Sequence, residues 1–164
     1  MSPPQIRPAR PEDGPAVRDF VFAALRSYGI EPDPEGLDAD VVAFGQGAGG
    51  VLLELVAEVD GVAVGSVVLS PRGADEVWLS KLFVDAAARR RGIGRALLER
   101  AVAEARARGS RRMWLETRAI FREAVQLYES SGWQRGPDLP PEHGPDRTYF
   151  LPLDDAVAPE PPPA

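Results

Sequence analysis

Apolar positions recur along this chain first with helical spacing and then with strand spacing. Behind the starter Pro11-Glu12-Asp13, residues 12–27 carry Val17, Phe20, Val21 and Leu25 on one face, which predicts a first helix. Ahead of it, Ile6-Arg7 reads as a short edge strand. Residues 29–50 lose the periodicity and fill with Gly, Pro and Asp. A long loop is expected there, with a short helix near 36–44, and long loops in compact domains often serve function. From Val51 the spacing becomes that of strands: VLLELVAEV, then Asp60-Gly61, then VAVGSVVLS, a hairpin on an Asp-Gly turn. Pro71 to Asp75 forms another turn, and EVWLSKLFV, 76–84, another strand. A helix over 92–108 buries Ile93, Leu97, Leu98, Ala101, Val102 and Ala105 and stops at Gly109. RMWLET, 112–117, is a strand. Residues 119–131 form a helix with Ile120, Ala124, Leu127 and Tyr128 on one side, closed by Gly132. Trp133 begins a strand, and RTYFLPL, 147–153, is the last.

Hairpins followed by a strand–helix–strand crossover imply an α/β (α+β) chain, a mixed sheet with helices on both faces. The 164 residues suit one domain with a full core, expected over 4–153. The end of the chain, 154–164, reads as a disordered Pro-rich tail.

Composition narrows the chemistry. No cysteine is present, so disulfides, thiolate metal sites and a cysteine nucleophile are excluded, and the single histidine, His143, speaks against a His-rich metal site; no metal is expected. No apolar run approaches the ~20 residues of a membrane span, and MSPPQIRPARPEDG lacks the apolar segment of a signal peptide, so a cytoplasmic protein without membrane contact is expected. The net charge of -6 disfavours nucleic acid as a partner. Residues 89–112 nevertheless hold nine arginines against two glutamates, a local +7 that leaves -13 for the remainder. A basic island on an acidic chain suits a small polyanion.

That island begins with RRRGIGR. Arg89, Arg90 and Arg91 run into a Gly-x-Gly turn that opens the helix at 92–108. A helix start carries unpaired N–H groups and partial positive charge, which suit a phosphate. Gly92 and Gly94 let a ligand approach the backbone, and Arg95 adds charge. The third small residue of a dinucleotide-binding turn is absent, since Leu97 stands there, and the Gly-Lys-Ser/Thr of a P-loop is absent too. A pyrophosphate-bearing ligand is the expectation; an ordinary helix start with solvated arginines is the plainer alternative.

Arg89-Arg90-Arg91-Gly92-Ile93-Gly94 resembles the Q/R-x-x-G-x-G/A signature of the GNAT superfamily of N-acyltransferases. Leu82-Phe83-Val84-Asp85 resembles that family's fourth strand. Leu115-Glu116-Thr117-Arg118, followed by Ala124, Leu127, Tyr128, Gly132 and Trp133, is similar to its A-x-x-L-Y-x-x-x-G-F/W segment. The likeness covers about residues 4–153 and is strongest over 76–133. It implies a mostly antiparallel central sheet and an acetyl-CoA-dependent N-acetyltransferase. The N–H groups of Arg91, Gly92, Ile93, Gly94 and Arg95 would hold the pyrophosphate. Leu82, Phe83 and Val84 would pair with the pantetheine arm, and the N–H of Val84 or Phe83 would polarise the thioester carbonyl. Tyr128 is the implied acid for the departing thiolate and Glu116 the base for the amine. Each has a plainer reading, a core tyrosine and a solvated or Arg118-paired glutamate.

Two positions depart from the family. Trp78 stands where many relatives carry a strand glutamate, with Glu76 two residues earlier on the same face, and Phe121 stands where relatives often place an asparagine that contacts CoA. His143 lies in the loop PPEHGPDR, within reach of an acceptor site or simply solvated. The first helix and the loops at 29–50 and 136–147 are expected to set specificity. Asp33, Glu35, Asp38 and Asp40 would favour a cationic amine if they form the rim of the site, and are surface acids otherwise. The acceptor is expected to be a small-molecule or peptide amine. Many members of the family dimerise, which leaves a homodimer open. A non-catalytic acyl-CoA sensor and a nucleotide-binding module remain as alternatives.

Overall fold

The computed structural model describes residues 2–47 and 49–153; the expected tail, 154–164, lies outside them. The strands are β1 (Gln5–Pro8), β2 (Leu53–Val59), β3 (Val62–Arg72), β4 (Glu76–Val84), β5 (Arg112–Thr117), β6 (Gln134–Arg135) and β7 (Arg147–Pro152). They form one sheet in the order β1-β2-β3-β4-β5-β7-β6, parallel between β4 and β5 and antiparallel elsewhere. The helices are α1 (Gly14–Ser27), the short α2 (Ala39–Val42), α3 (Ile93–Ala107) and α4 (Arg122–Ser130).

Strand alternation divides the core into two layers. Leu55, Ala57 and Val59 of β2 pack with Ile93, Leu97, Leu98, Ala101 and Ala105 of α3. Val56, between them, packs on the other face with Val17, Phe20, Val21 and Leu25 of α1 and with Val41 and Phe44. The near-continuous apolar run of β2 follows from this double cover. Leu97 is fully buried, and truncating such a leucine to alanine costs roughly 2–5 kcal/mol. The Asp-Gly turn has the expected form: Asp60 and Gly61 both have positive φ, +51° and +84°.

Three boundaries differ from expectation. β3 continues through Pro71 to Arg72, where a turn was expected. Its pairing with β2 ends at Leu69, so Pro71 lies where no β2 partner needs its missing N–H. α1 starts at Gly14, after a 3-10 turn over Pro11–Asp13. α4 starts at Arg122 rather than 119, because Asp146 Oδ1 accepts the Ala119 N–H at 2.8 Å and residues 118–121 close a separate turn. Ile120 is therefore exposed, and the buried face of α4 is Val125 and Tyr128, with Ala124 and Leu127 half-buried beside them.

One polar group is built into the core edge. Arg7 of β1 is buried and donates to both carboxylate oxygens of Asp13, at 2.8 and 2.9 Å, and to Glu58 at 3.0 Å. The hydrogen bond from Arg7 holds the Asp13 carboxyl below its ordinary range.

Candidate active site

The groove exists because β4 and β5 part company. They pair only over Glu76–Trp78 and Arg112–Trp114. A bulge in β4 opens the gap: its register against β3 passes from Val68↔Ser80 to Ser66↔Phe83, and Lys81 takes φ +53° with its carbonyl accepting from Ser66 Oγ at 2.9 Å. Bulges bend and twist the strand that carries them. Beyond this one, Phe83 and Val84 pair with Ser66 and Gly65 of β3, and the other edge of Leu82, Phe83 and Val84 has no β5 partner. Asp85 N–H is spent on Val64 O at 2.7 Å. Successive N–H groups along a strand alternate sides, so that of Val84 faces the gap.

A first cavity lies along this open edge. Leu82, Phe83, Val84, Arg89, Arg90, Gly92, Ile93 and Gly94 all line it, together with Phe121 and Leu127. Eight of the sequence-marked cofactor residues thus share one wall. Gly92 is the N-cap of α3 with φ +73°, a conformation other side chains rarely adopt, and no side chain caps the helix. The first N–H groups of α3 therefore open onto the cavity without an internal partner. Arg91 and Arg95 do not line it; the Arg95 guanidinium reaches Ser130 Oγ at 3.2 Å and Ser131 Oγ at 3.4 Å.

A second cavity continues past Leu82, Phe83, Phe121 and Ala124, which line both. Its far walls include Glu116 and Arg118 from β5 and the turn after it, Tyr128 from α4, and Asp33, Leu37 and Asp38 from the 29–50 loop. Phe121 stands at the junction, its ring 4.8 Å from Tyr28 and 6.2 Å from Phe83. Phe121 thus presents an aromatic face, with no amide to offer, where the two cavities join.

Tyr128 is packed between the rings of Trp133 and Tyr149, at 5.8 and 6.0 Å. Burial pushes its phenol above the ordinary tyrosine range. The hydroxyl stays protonated, and among the described residues it has no hydrogen-bond partner. Glu116 is partly exposed to the second cavity and is held by His143, whose Nε2 lies 2.8 Å from its Oε2. The His143 contact is 27 residues away in sequence, and only its position in a loop beside the expected acceptor site hinted at it. Arg118 does not pair with Glu116; it donates to Gly144 O at 3.0 Å.

Glu76 and Trp78 lie outside both cavities. Glu76 accepts from Arg72 at 2.6 Å and from Trp114 Nε1 at 2.7 Å, with Arg112 at 3.7 Å. Arg72 in turn sits over the rings of Trp78 and Trp114. This cluster staples the closed end of the β4–β5 gap, with Glu76 held among Arg72, Trp114 and Arg112. Among the described residues no helix is long and apolar enough to cross a membrane.

Comparison with known proteins accords with this geometry. The model of the acetyltransferase (GNAT) family matches residues 18–133. A ribosomal protein bS18 alanine N-acetyltransferase of Escherichia coli is 46% identical over 59 residues, 36% of this chain and 40% of that protein. Mycothiol acetyltransferase of Nocardia farcinica is 32% identical over 159 residues, 88% of this chain and 50% of that protein. The matches thus span half or less of the length of these curated relatives. The structure of yncA from Salmonella typhimurium, solved with its cofactor acetyl-CoA, superposes with a TM-score of 0.73 at 25% identity, covering 97% of this chain and 99% of that one.

Proposed function

We propose, for a chain that belongs to the acetyltransferase (GNAT) family, that one domain over residues 4–153 binds acetyl-CoA in the first cavity and transfers its acetyl group directly to a primary amine in the second. The observation that carries this is a continuous wall: the uncapped start of α3, the open edge of β4, and then Tyr128 and Glu116. Pyrophosphate, amide-bearing arm and thioester follow one another in acetyl-CoA in the same order.

The N–H groups of residues 91–95 receive the pyrophosphate, with Arg89 and Arg90 beside it. The backbone of Leu82 to Val84 pairs with the pantetheine arm as an added strand. The Val84 N–H polarises the thioester carbonyl. Glu116, steadied by His143, takes a proton from the acceptor amine. The amine nitrogen bonds to the carbonyl carbon, the C–S bond breaks, and the electron pair leaves on the CoA sulfur. Tyr128 donates its proton to that thiolate. No cysteine exists to carry an acyl intermediate, which favours direct transfer.

The test is release of CoA thiol from acetyl-CoA over a panel of polyamines, amino acids, aminoglycosides and peptide N-termini. Acceptor-dependent release supports the reading. A melting temperature raised by acetyl-CoA, with no release for any amine, would instead leave the alternative of an acyl-CoA-sensing domain.

A further inference from the structure

We infer that the acceptor is a zwitterion, an amine with a carboxylate two or three bonds away and an apolar side chain, and that Arg118 holds the carboxylate. The inference rests on the acetyl-transfer reading of the same cleft.

The acidic loop at first suggests a cationic acceptor, but Asp33, Asp38 and Asp40 are already engaged, and Glu35 does not line the second cavity. Asp38 Oδ2 accepts the Asp33 N–H at 2.8 Å, and its Oδ1 lies 3.5 Å from Lys81 Nζ. Asp40 lies 3.3 Å from the same ammonium, and Asp33 accepts the Leu37 N–H at 3.2 Å. These three aspartates have turned their charge onto the loop's own backbone and onto Lys81.

Arg118 is the opposite case. It is half-buried, lines the second cavity, and forms no ion pair with any described residue. One of its guanidinium nitrogens is tied to Gly144 O, which fixes its direction and leaves the other donors open. A guanidinium partly out of water favours an oxyanion, and its planar fork matches a carboxylate.

Placement completes the assignment. Glu116 lies in β5 and Arg118 at the start of the turn that follows it, and both line the second cavity. An acceptor whose carboxylate meets Arg118 places a nitrogen two or three bonds away within reach of Glu116. Around them the cavity is lined by Leu25, Ile30, Leu37, Phe83 and Phe121, which suits an apolar side chain.

The test compares L-alanine, L-leucine, L-methionine and L-phenylalanine with their amides and their decarboxylated amines as acetyl acceptors. For the wild type, kcat/KM should be at least tenfold higher for the free amino acid than for either partner, mainly through KM. In Arg118→Gln that ratio should collapse toward one, and in Arg118→Lys part of it should return. The wild-type ratios decide the question even if a variant fails to fold. Ratios within twofold would overturn the inference, as would faster turnover of spermidine or of a peptide N-terminus, and each would leave acetyl transfer standing. No thiol release with any amine, despite stabilisation by acetyl-CoA, would remove acetyl transfer itself and this inference with it.

Discussion

Replacing Tyr128 by phenylalanine removes a single oxygen from a wall of the second cavity. The ring is buried against Trp133 and Tyr149 and stays in place, and no hydrogen bond to a described residue is lost with the hydroxyl. The thermal midpoint should therefore move by no more than a few degrees, because a net loss of less than ~1 kcal/mol is expected when no partner is orphaned. Turnover should respond differently. A positioned general acid contributes about 10²–10⁴-fold. A loss of 10²–10³-fold corresponds to about 2.7–4.1 kcal/mol of barrier. Thiol release followed under saturating acetyl-CoA and acceptor reads kcat, and calorimetric titration reads the acetyl-CoA Kd, which should stay within threefold. The alkaline behaviour supplies a second check. Burial raises the folded phenol above its unfolded value of 10.0. Its stabilising contribution is thus complete below pH 10 and is lost as pH rises above it, so the variant should lose less urea stability than the wild type above pH 10. A variant that turns over within twofold of the wild type would refute the role of Tyr128 as acid.

Glu116→Gln should lower kcat/KM about 100-fold or more while leaving acetyl-CoA binding intact, measured by the same two assays. Gly92→Val places a β-branched residue at φ +73° and should raise the acetyl-CoA Kd at least tenfold by calorimetry; unchanged affinity would place the phosphate elsewhere. The lowered Asp13 carboxyl stabilises the fold above the ordinary carboxylate range, a contribution lost as pH falls through and below pH 4. Asp13→Ala, which leaves Arg7 with Glu58 as its one carboxylate beside the Pro8 carbonyl, should cost about 3 kcal/mol in urea denaturation at pH 7 and flatten that acid slope.

What the sequence disclosed was contiguous or periodic. The hairpin over β2 and β3 sits in one stretch of chain and forms as expected, as does the α3 stripe apart from the half-buried Val102, and residues from Leu82 to Gly94 come together along one cavity. The misses depend on partners far along the chain. The start of α4 is set by Asp146, 27 residues from Ala119, so Ile120 falls outside the helix and is exposed rather than sharing a helix side with Ala124, Leu127 and Tyr128. The pairing of Glu116 with His143, and the buried bridge from Arg7 to Glu58 across 51 residues, leave no local pattern. The acidic loop illustrates the same limit: its letters show four carboxylates, and only the fold shows that Lys81 occupies two of them.

The cleft has two mouths that meet beside Phe121, one reached past the arginines and the other past the acidic loop. On the proposed acetyl-transfer reading, donor and acceptor occupy different cavities and need not pass each other. On that reading, spent CoA backs out of the first cavity while the acetylated amine still occupies the second, and either product is free to go first. In product-inhibition plots, CoA should compete with acetyl-CoA and not with the amine.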